Sequence, residues 1–315
     1  MTYTYFIGID IGKEFFEAGG CTLPLQSRRF ANNPAGFQAF TDAYADQLPA
    51  ALAVLEATGG YERDLLAWLL ARGLAVHRAD PRKASYFIRS LGKRAKTDRL
   101  DACALARYGR ERHGELPLSR LPEEAQETLR SLLARRADLL AMRVAERNRL
   151  QHPVYERWRG SIAAVLRTLD EQIDALQADM EAIIAASARL KAKLSVMTGV
   201  VGIGRQTACT LLGNMPELGT LTRRQAASLA GCAPHPKDSG KSAGYRSTTG
   251  GRAAVKRALF MAALSASRFN AVLREFYERL IQNGKKPMVA LVAVMRKLIT
   301  MLNAKIRDEV YAKTW

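Results

Sequence analysis

Two carboxylates lie three residues apart inside a basic run, Arg94-Ala95-Lys96-Thr97-Asp98-Arg99-Leu100-Asp101. On a helix, positions i and i+3 share one face, so Asp98 and Asp101 repel each other unless a cation lies between them. Arg94, Lys96 and Arg99 are charges of the kind that bind phosphates. Carboxylates for a metal beside cations for phosphates are typical of metal-dependent chemistry on nucleic acid. The structural alternative is that Asp98 caps a helix whose dipole Asp101 favours.

Two further acids lie in or after apolar segments of the first sixty residues. Asp10 falls within the strand-like run Tyr5-Phe6-Ile7-Gly8-Ile9-Asp10-Ile11-Gly12-Lys13, where an isolated charge is costly unless it is paired or bound to metal. Glu56 follows the apolar segment Ala51–Leu55 and precedes a Gly59-Gly60 turn. Strand ends that lead into glycine turns are where open α/β sheets place their sites.

The segments around these acids predict the scaffold that holds them. Three strands followed by helix, strand, helix, strand and helix is the layout of a ribonuclease H-like fold. Four carboxylates on such a scaffold could hold two divalent ions, and hard oxygen ligands suit Mg²⁺ or Mn²⁺. Two ions roughly 3.5–4 Å apart stabilise the entering and leaving oxygens of phosphoryl transfer. After the first strand, the predicted strands are Phe15–Gly20, Ser27–Asn32, Ala51–Leu55 and Leu74–Ala79, and the predicted helices are Pro34–Leu48, Glu62–Arg72 and Pro81–Leu91.

Several motifs resemble those of the DEDD transposases of the insertion sequence 110 family. In the first third these are Asp10, Glu56-Ala57-Thr58-Gly59-Gly60-Tyr61-Glu62 and Lys96-Thr97-Asp98-Arg99-Leu100-Asp101, which resemble the RuvC-like domain of that family. The resemblance covers nearly the whole chain in the family's order. In the last third it continues at Ala233-Pro234, Asp238-Ser239-Gly240, Gly244-Tyr245-Arg246 and Gly250-Gly251-Arg252.

This resemblance implies a DNA recombinase guided by a bridge RNA. Asp10, Glu56, Asp98 and Asp101 would bind Mg²⁺, with Mn²⁺ as a substitute, and Ser239 would become linked to DNA as a phosphoserine. The implied partners are donor and target DNA, a non-coding guide RNA and further copies of the chain in a dimer or tetramer. The family also implies a composite site, in which the serine of one subunit reaches the acids of another.

The loop from Ala233 to Arg252 is the second candidate active region. Its prolines and glycines keep it out of regular structure, and on composition alone it reads more readily as an exposed flexible loop. The resemblance reverses that preference, because the family's serine nucleophile matches Ser239. Asp238 is the nearest candidate base, so activation of the hydroxyl would fall to metal held by the distant acids. Candidate nucleic-acid-binding cations lie in and after the loop at Lys241, Arg246, Arg252, Lys256 and Arg257, with Arg246 and Arg252 assigned to the scissile phosphate.

The chain is predicted to contain three regions: a RuvC-like domain at 1–121, a helical region at 122–194 and a mainly helical C-terminal domain at 195–315. Leucines of the middle region recur at three- and four-residue steps, and His152-Pro153 predicts a break. Both an intramolecular helical hairpin and a coiled-coil dimer seam fit this pattern. The glycines of 199–204 lack the lysine of a P-loop and predict a turn between two helices, either a helix-hairpin-helix contact to DNA phosphate or a simple connection.

Composition restricts the class of partner. The 315 residues carry a formal charge of +18 with a pI near 10.1, which favours a polyanion. No apolar run is long enough to span a bilayer and no signal peptide is evident, so we expect a cytoplasmic protein without a membrane partner. The resemblance to insertion-sequence transposases implies that this cytoplasm is prokaryotic. The cysteines and histidines are scattered, which argues against a zinc site and for reduced, buried thiols.

Three other functions remain compatible with parts of the sequence. A junction nuclease that uses water as its nucleophile would share the fold but release free DNA ends. An actin-like ATPase or sugar kinase would share the first strand, Gly8-Ile9-Asp10-Ile11-Gly12, but requires a second phosphate-binding Asp-x-Gly-Gly segment that the chain lacks. A non-catalytic RNA-binding protein would tolerate Asp10→Ala without loss of function.

Overall fold

The computed structural model describes residues 3–20, 27–92, 97–120, 123–235 and 247–311. The chain divides into two compact units, Met1–Pro122 and Glu123–Trp315. The first unit combines a mixed β-sheet with helices, and helices dominate the second unit. The sequence predicts both an α/β first domain and a mainly helical remainder. Among the helices that the structure describes, none has the length and apolar character needed to cross a bilayer.

In the described part of the first unit, five strands form one mixed sheet in the order β3-β2-β1-β4-β5. β1, β4 and β5 run parallel, while β2 and β3 are antiparallel neighbours at one edge. Every strand predicted from the sequence is confirmed within a residue or two at each end. The strands are β1 (Tyr5–Ile11), β2 (Phe15–Gly20), β3 (Ser27–Ala31), β4 (Ala51–Glu56) and β5 (Ala75–Ala79).

Helices cover both faces of this sheet, and local sequence explains where they begin. Pro34 and Pro81 occupy first helical positions, behind the capping side chains of Asn33 and Asp80. The first helix ends five residues earlier than predicted, because Tyr44 leaves helical dihedrals and its hydroxyl donates to the Ala18 carbonyl. The helices are α1 (Pro34–Ala43), α2 (Arg63–Ala71), α3 (Pro81–Ser90) and α4 (Asp98–Arg112), with a short 3-10 helix at Leu48–Ala50.

The second unit begins with two long helices that pack against each other within one chain. Leu139, Leu169 and Ile173 are buried between them, and Arg143 Nη1 lies 2.8 Å from Asp170 Oδ1. The predicted break at Pro153 is confirmed, because that proline starts a 3-10 segment between the two helices. These helices are α5 (Glu124–Gln151) and α6 (Arg159–Ala186), joined by Pro153–Trp158.

Shorter helices complete the second unit around a large apolar core. Thr222 and Gln225 form a reciprocal capping box, and Asn270 caps the helix that follows it. Between two of the helices lies a small two-stranded ladder. The remaining elements are α7 (Ala188–Thr198), α8 (Arg205–Asn214), α9 (Arg223–Leu229), β6 (Pro234–His235), β7 (Ser247–Thr248), α10 (Ala253–Phe269), α11 (Ala271–Gln282), α12 (Pro287–Ile306) and a terminal π-helical turn, Arg307–Tyr311.

Candidate active site

Asp10 lies on the face of β1 that is covered by α4. Odd residues of the strand, such as Ile9, belong to the core under α1 and α2, whereas Phe6 packs with residues of α4. Side chains of a strand alternate between faces, so Gly8 and Asp10 share the face of Phe6. Asp10 is half-buried there and is already engaged with neighbouring groups.

A glycine sets the position of α4 on this face. A Cβ atom on Gly8 would lie 1.9 Å from the Ala102 carbonyl oxygen and 2.3 Å from the Ala106 amide nitrogen, so only glycine permits this approach. Further along α4, Gly109 packs in the same way against Val54. The helix therefore runs back along β1, with its first turn toward the carboxyl end of the strand.

That crossing brings the first turn of α4 level with Asp10. Asp10 is about 6.6 Å beyond Gly8 along the strand, at about 3.3 Å per residue. Gly8 contacts α4 between Ala102 and Ala106. Moving the same distance of about 6.6 Å toward the start of α4, at about 1.5 Å per residue, covers about four residues and reaches the interval between Asp98 and Asp101. Tertiary packing therefore places both carboxylates at the end of the sheet that carries Asp10.

Thr97, rather than Asp98, caps this helix. The Thr97 side chain accepts a hydrogen bond from the Leu100 amide at 3.3 Å, and both Asp98 and Asp101 lie in the first helical turn. Their charges favour the positive end of the helix dipole. The capping explanation for Asp98 is therefore wrong, and its carboxylate remains 68 % exposed. Arg99 is exposed in the same turn.

Glu56 ends the strand beside Asp10. Ile9 pairs with Leu55 in the parallel ladder, so Asp10 and Glu56 follow at the next position of adjacent strands. Leu52 and Val54 of β4 pack toward α4, and the two-residue alternation puts Glu56 on that same face. The carboxyl ends of two parallel strands thus carry one acid each, side by side.

Glu62 is also acidic and close in sequence, but its position shows a different role. Its side chain has no exposed surface. Its carboxylate accepts hydrogen bonds from the Thr58 amide at 3.0 Å and the Gly60 amide at 2.9 Å, and it pairs with the Arg78 guanidinium. Burial acts to raise the pKa of Glu62, but the hydrogen bonds from its own loop and from Arg78 outweigh burial and lower it. Glu62 therefore shapes the loop that follows Glu56.

An open cavity of about 370 Å³ lies at this end of the sheet. Carboxylates and cations line it together, since its walls include Asp10, Glu17 and Asp98 as well as Lys13 and Arg29. Oxygen donors of this kind match the ligands that Mg²⁺ and Mn²⁺ prefer. Within residues 3–20, 27–92 and 97–120, however, no group of three or more His, Cys, Asp or Glu side chains is gathered closely enough to hold an ion.

An arginine engages Asp98 at the rim of this cavity. Arg29 Nη2 lies 3.4 Å from Asp98 Oδ2, and Arg29 Nε lies 3.2 Å from Glu17 Oε2. Sequence reasoning missed Glu17 and Arg29, because neither belongs to a motif and each joins the site only through strand pairing. It also missed Asn32, whose side-chain amide donates to the carbonyls of Gly12 and Tyr61 and so joins the loops that follow β1 and β4.

Residues 7–155 match the DEDD transposase family of IS110, and residues 195–278 match the family described as transposase IS116/IS110/IS902. A relative spanning the whole chain decides the assignment. The pilin gene-inverting protein of Moraxella bovis is 31 % identical over 98 % of this chain and 97 % of its own length. This chain belongs to the IS110 family of transposases. As a member it is a DNA-cleaving enzyme, a transposase or recombinase whose substrate is DNA.

Other relatives agree with this assignment. The pilin gene-inverting protein of Moraxella lacunata is also 31 % identical, over 98 % of this chain and 97 % of its own length. The insertion element IS110 uncharacterized 43.6 kDa protein of Streptomyces coelicolor is 36 % identical over 47 % of this chain and 36 % of its own length. The family predicted from the motifs is therefore confirmed.

The serine predicted as the transposase's nucleophile lies outside the described residues, as do Arg94, Lys96, Lys241 and Arg246. The residues on either side of 236–246 are described. Pro234 pairs with Thr248 and His235 pairs with Ser247, so the residues that flank 236–246 form one short antiparallel ladder. A Cβ atom on Gly251 would lie 2.2 Å from the Gly231 amide nitrogen, which shows how closely the two ends pack below that ladder.

Arg252, predicted to contact the scissile phosphate, has its guanidinium engaged within the transposase. Its Nη1 and Nη2 lie 2.9 Å and 2.6 Å from the two carboxylate oxygens of Glu217, and Nη1 also donates to the Asn214 carbonyl. Burial acts to raise the pKa of Glu217, but the hydrogen bonds and charge of Arg252, with smaller contributions from other groups, outweigh burial and lower it. Lys256 and Arg257 lie in the first half of α10, with Arg257 exposed.

Proposed function

We propose that this transposase exchanges DNA strands by a Mg²⁺-dependent reaction guided by a non-coding RNA. The Ser239 hydroxyl loses its proton and attacks the phosphodiester phosphorus. It displaces one deoxyribose oxygen, which takes up a proton and leaves as a free hydroxyl, and the phosphoserine bond that forms conserves the bond energy for rejoining. The observation that supports the proposal is that the strand ends and the helix turn that carry these acids lie at one end of the sheet of the first unit. Asp10 lies near the end of β1 and Glu56 ends the adjacent strand β4, and the first turn of α4 brings Asp98 and Asp101 to the same level.

We propose a ribonuclease H-like fold for this first unit. The strand order β3-β2-β1-β4-β5, with two antiparallel strands at one edge and three parallel strands beyond, supports it. In this arrangement Asp10, Glu56, Asp98 and Asp101 would hold the metal, with Mn²⁺ as a substitute for Mg²⁺. Bound metal supplies Lewis-acid stabilisation of the charge that develops on the phosphoryl oxygens.

The names of two relatives support a reaction that rejoins DNA strands as well as cutting them. The two Moraxella relatives are called pilin gene-inverting proteins, and inversion of a DNA segment requires that broken strands be religated. A covalent enzyme–DNA bond permits this without an external energy source. The +18 charge supports a second polyanion, and we assign that role to the guide RNA.

Two places in the second unit support nucleic-acid contact. Lys256 and Arg257 lie near the start of α10, where cations oppose the helix dipole and a bound phosphate would relieve that conflict. The turn between α7 and α8 buries Val200 and Ile203 but exposes Val201 at its tip. We propose that this turn is a helix-hairpin-helix element whose backbone amides contact a DNA phosphate.

The test is a covalent trap with purified chain, Mg²⁺, candidate guide RNA and labelled donor and target DNA. We expect a protein–DNA adduct that survives denaturation and is absent for Ser239→Ala, Asp10→Asn and Asp98→Asn. Ser242→Ala, in the same loop, is the matched control and should retain the adduct. Free cleaved ends without any adduct would instead favour water as the nucleophile. An adduct that persists in Ser239→Ala would remove this serine from the reaction.

A further inference from the structure

Four charged residues form a row across the sheet at the candidate active site. Asp10 pairs with Glu17 between β1 and β2, and Glu17 pairs with Arg29 between β2 and β3. Glu56 stands beside Asp10 on β4, one position beyond the last registered pair. Directly paired residues point to the same face, so all four share the face that α4 covers. The row therefore consists of three acids on β4, β1 and β2, followed by the guanidinium of Arg29 on β3.

Glu17 holds that cation in a defined orientation. The Glu17 side chain is only 11 % exposed, and each of its oxygens has a partner on β3. Oε1 accepts a hydrogen bond from the Ser27 hydroxyl at 2.7 Å, and Oε2 accepts one from Arg29 Nε at 3.2 Å. Fixing Nε orients the plane of the guanidinium, which leaves the two terminal nitrogens directed beyond Glu17. Glu17 is thus a positioning residue for Arg29.

The terminal nitrogens of Arg29 reach the cavity that Asp10 and Asp98 line. Nη2 lies 3.4 Å from Asp98 Oδ2, in a pair whose side chains are 61 % and 68 % exposed. A long, solvent-exposed pair contributes little to stability, so exchanging its carboxylate for another anion costs little. A phosphodiester offers two non-bridging oxygens that match the guanidinium geometry.

We propose that Arg29 binds the scissile phosphodiester and is the counter-ion of Asp98 until metal and DNA arrive. With metal bound, Asp98 would be one of its ligands, and the terminal N–H groups of Arg29 would then donate to a non-bridging phosphate oxygen instead of to Asp98. This inference rests on the metal site of the proposed function.

The experiment compares two arginines that are adjacent on β3. Arg29→Ala removes the proposed phosphate ligand, and Arg29→Lys keeps the charge without the planar fork. Arg28→Ala is the matched control, because Arg28 points to the opposite face, where its charge acts on Tyr44. Each full-length variant is measured for Mn²⁺ affinity by electron paramagnetic resonance, and for the rate of adduct formation at saturating DNA.

We expect Arg29→Ala to slow adduct formation about 10²-fold, the usual effect of losing one donor to a reacting phosphoryl or acyl oxygen. Its Mn²⁺ affinity should be unchanged or higher, because Asp98 loses a competitor, and Arg29→Lys should recover part of the rate. Glu17→Gln should slow the reaction less than Arg29→Ala. Arg28→Ala should match the wild type in both measurements.

Two results would overturn the inference. One is an Arg29→Ala rate equal to that of Arg28→Ala, and the other is a rate loss explained entirely by weaker Mn²⁺ binding. Asp98→Asn separates this failure from failure of the proposed function. If the acids bind metal, Asp98→Asn loses both Mn²⁺ affinity and adduct formation, whatever Arg29 does. If Asp98→Asn keeps both, the metal site itself is absent and the role of Arg29 falls with it.

Discussion

Glu62→Gln tests whether the loop after Glu56 is held by a buried charge. The substitution keeps the size of the side chain but replaces one oxygen by an NH₂ group. That group would face either the amides of Thr58 and Gly60 or the guanidinium of Arg78, and all of these are donors. Either orientation therefore removes two of the four hydrogen bonds that the carboxylate accepts.

The expected cost follows from those bonds. A hydrogen bond to a charged group contributes about 1.5–3 kcal/mol, so losing two would cost about 3–6 kcal/mol. Arg78 is one-third exposed and regains water, which reduces the estimate to about 2–4 kcal/mol. Glu111→Gln is the matched control, because Glu111 pairs with Arg107 at 2.6 Å but both side chains are well exposed. We expect at most about 0.5 kcal/mol there.

The assay is hydrogen exchange of the β4 and β5 amides, read by mass spectrometry. A loss of about 2 kcal/mol accelerates exchange about 30-fold, since each 1.4 kcal/mol is a factor of ten. The pKa of Glu62 is lowered in the folded state, so its stabilisation is complete above the unfolded value near 4.5 and declines as pH falls through the folded value. The difference between wild type and Glu62→Gln should therefore shrink below pH 4.5. Equal exchange at pH 7 for Glu62→Gln and Glu111→Gln would refute this account.

Two further predictions concern the packing of each unit. Gly8→Ala should destabilise the first unit by about 3 kcal/mol and weaken Mn²⁺ binding, because the added Cβ would displace α4. Calorimetry measures the stability and a Mn²⁺ titration measures the binding. Gly114→Ala adds a Cβ in open space and should change neither quantity. Arg252→Ala should lower the melting temperature of the second unit by about 2–4 °C, for about 1 kcal/mol lost with the Glu217 pair. The salt dependence of DNA binding should not change, and a slope smaller by about one would show instead that Arg252 contacts a phosphate.

Local sequence was sufficient to place most of the elements. Apolar runs identified β1 and β4, and prolines at positions 34 and 81 marked helix starts, because their fixed φ and missing amide are tolerated there. The end of α1 was misplaced, because it depends on a hydroxyl contact from Tyr44 to β2 that no local pattern encodes. The motifs identified the family, since spacing and residue type are themselves sequence properties.

Residue types and their spacing were enough to identify the candidate acids, the basic charge and the approximate bounds of the predicted strands and helices. Which of the acids share a face depends on long-range packing. Glu56 and Glu62 lie on either side of the Gly59-Gly60 turn. Glu56 ends a strand beside Asp10, whereas Glu62 is buried against Arg78. Strand register places Glu56 beside Asp10, and the close approach of α4 at Gly8 brings the first turn of that helix to the same end of the sheet. Such contacts join residues tens of positions apart, so their energies depend on packing that no local pattern contains.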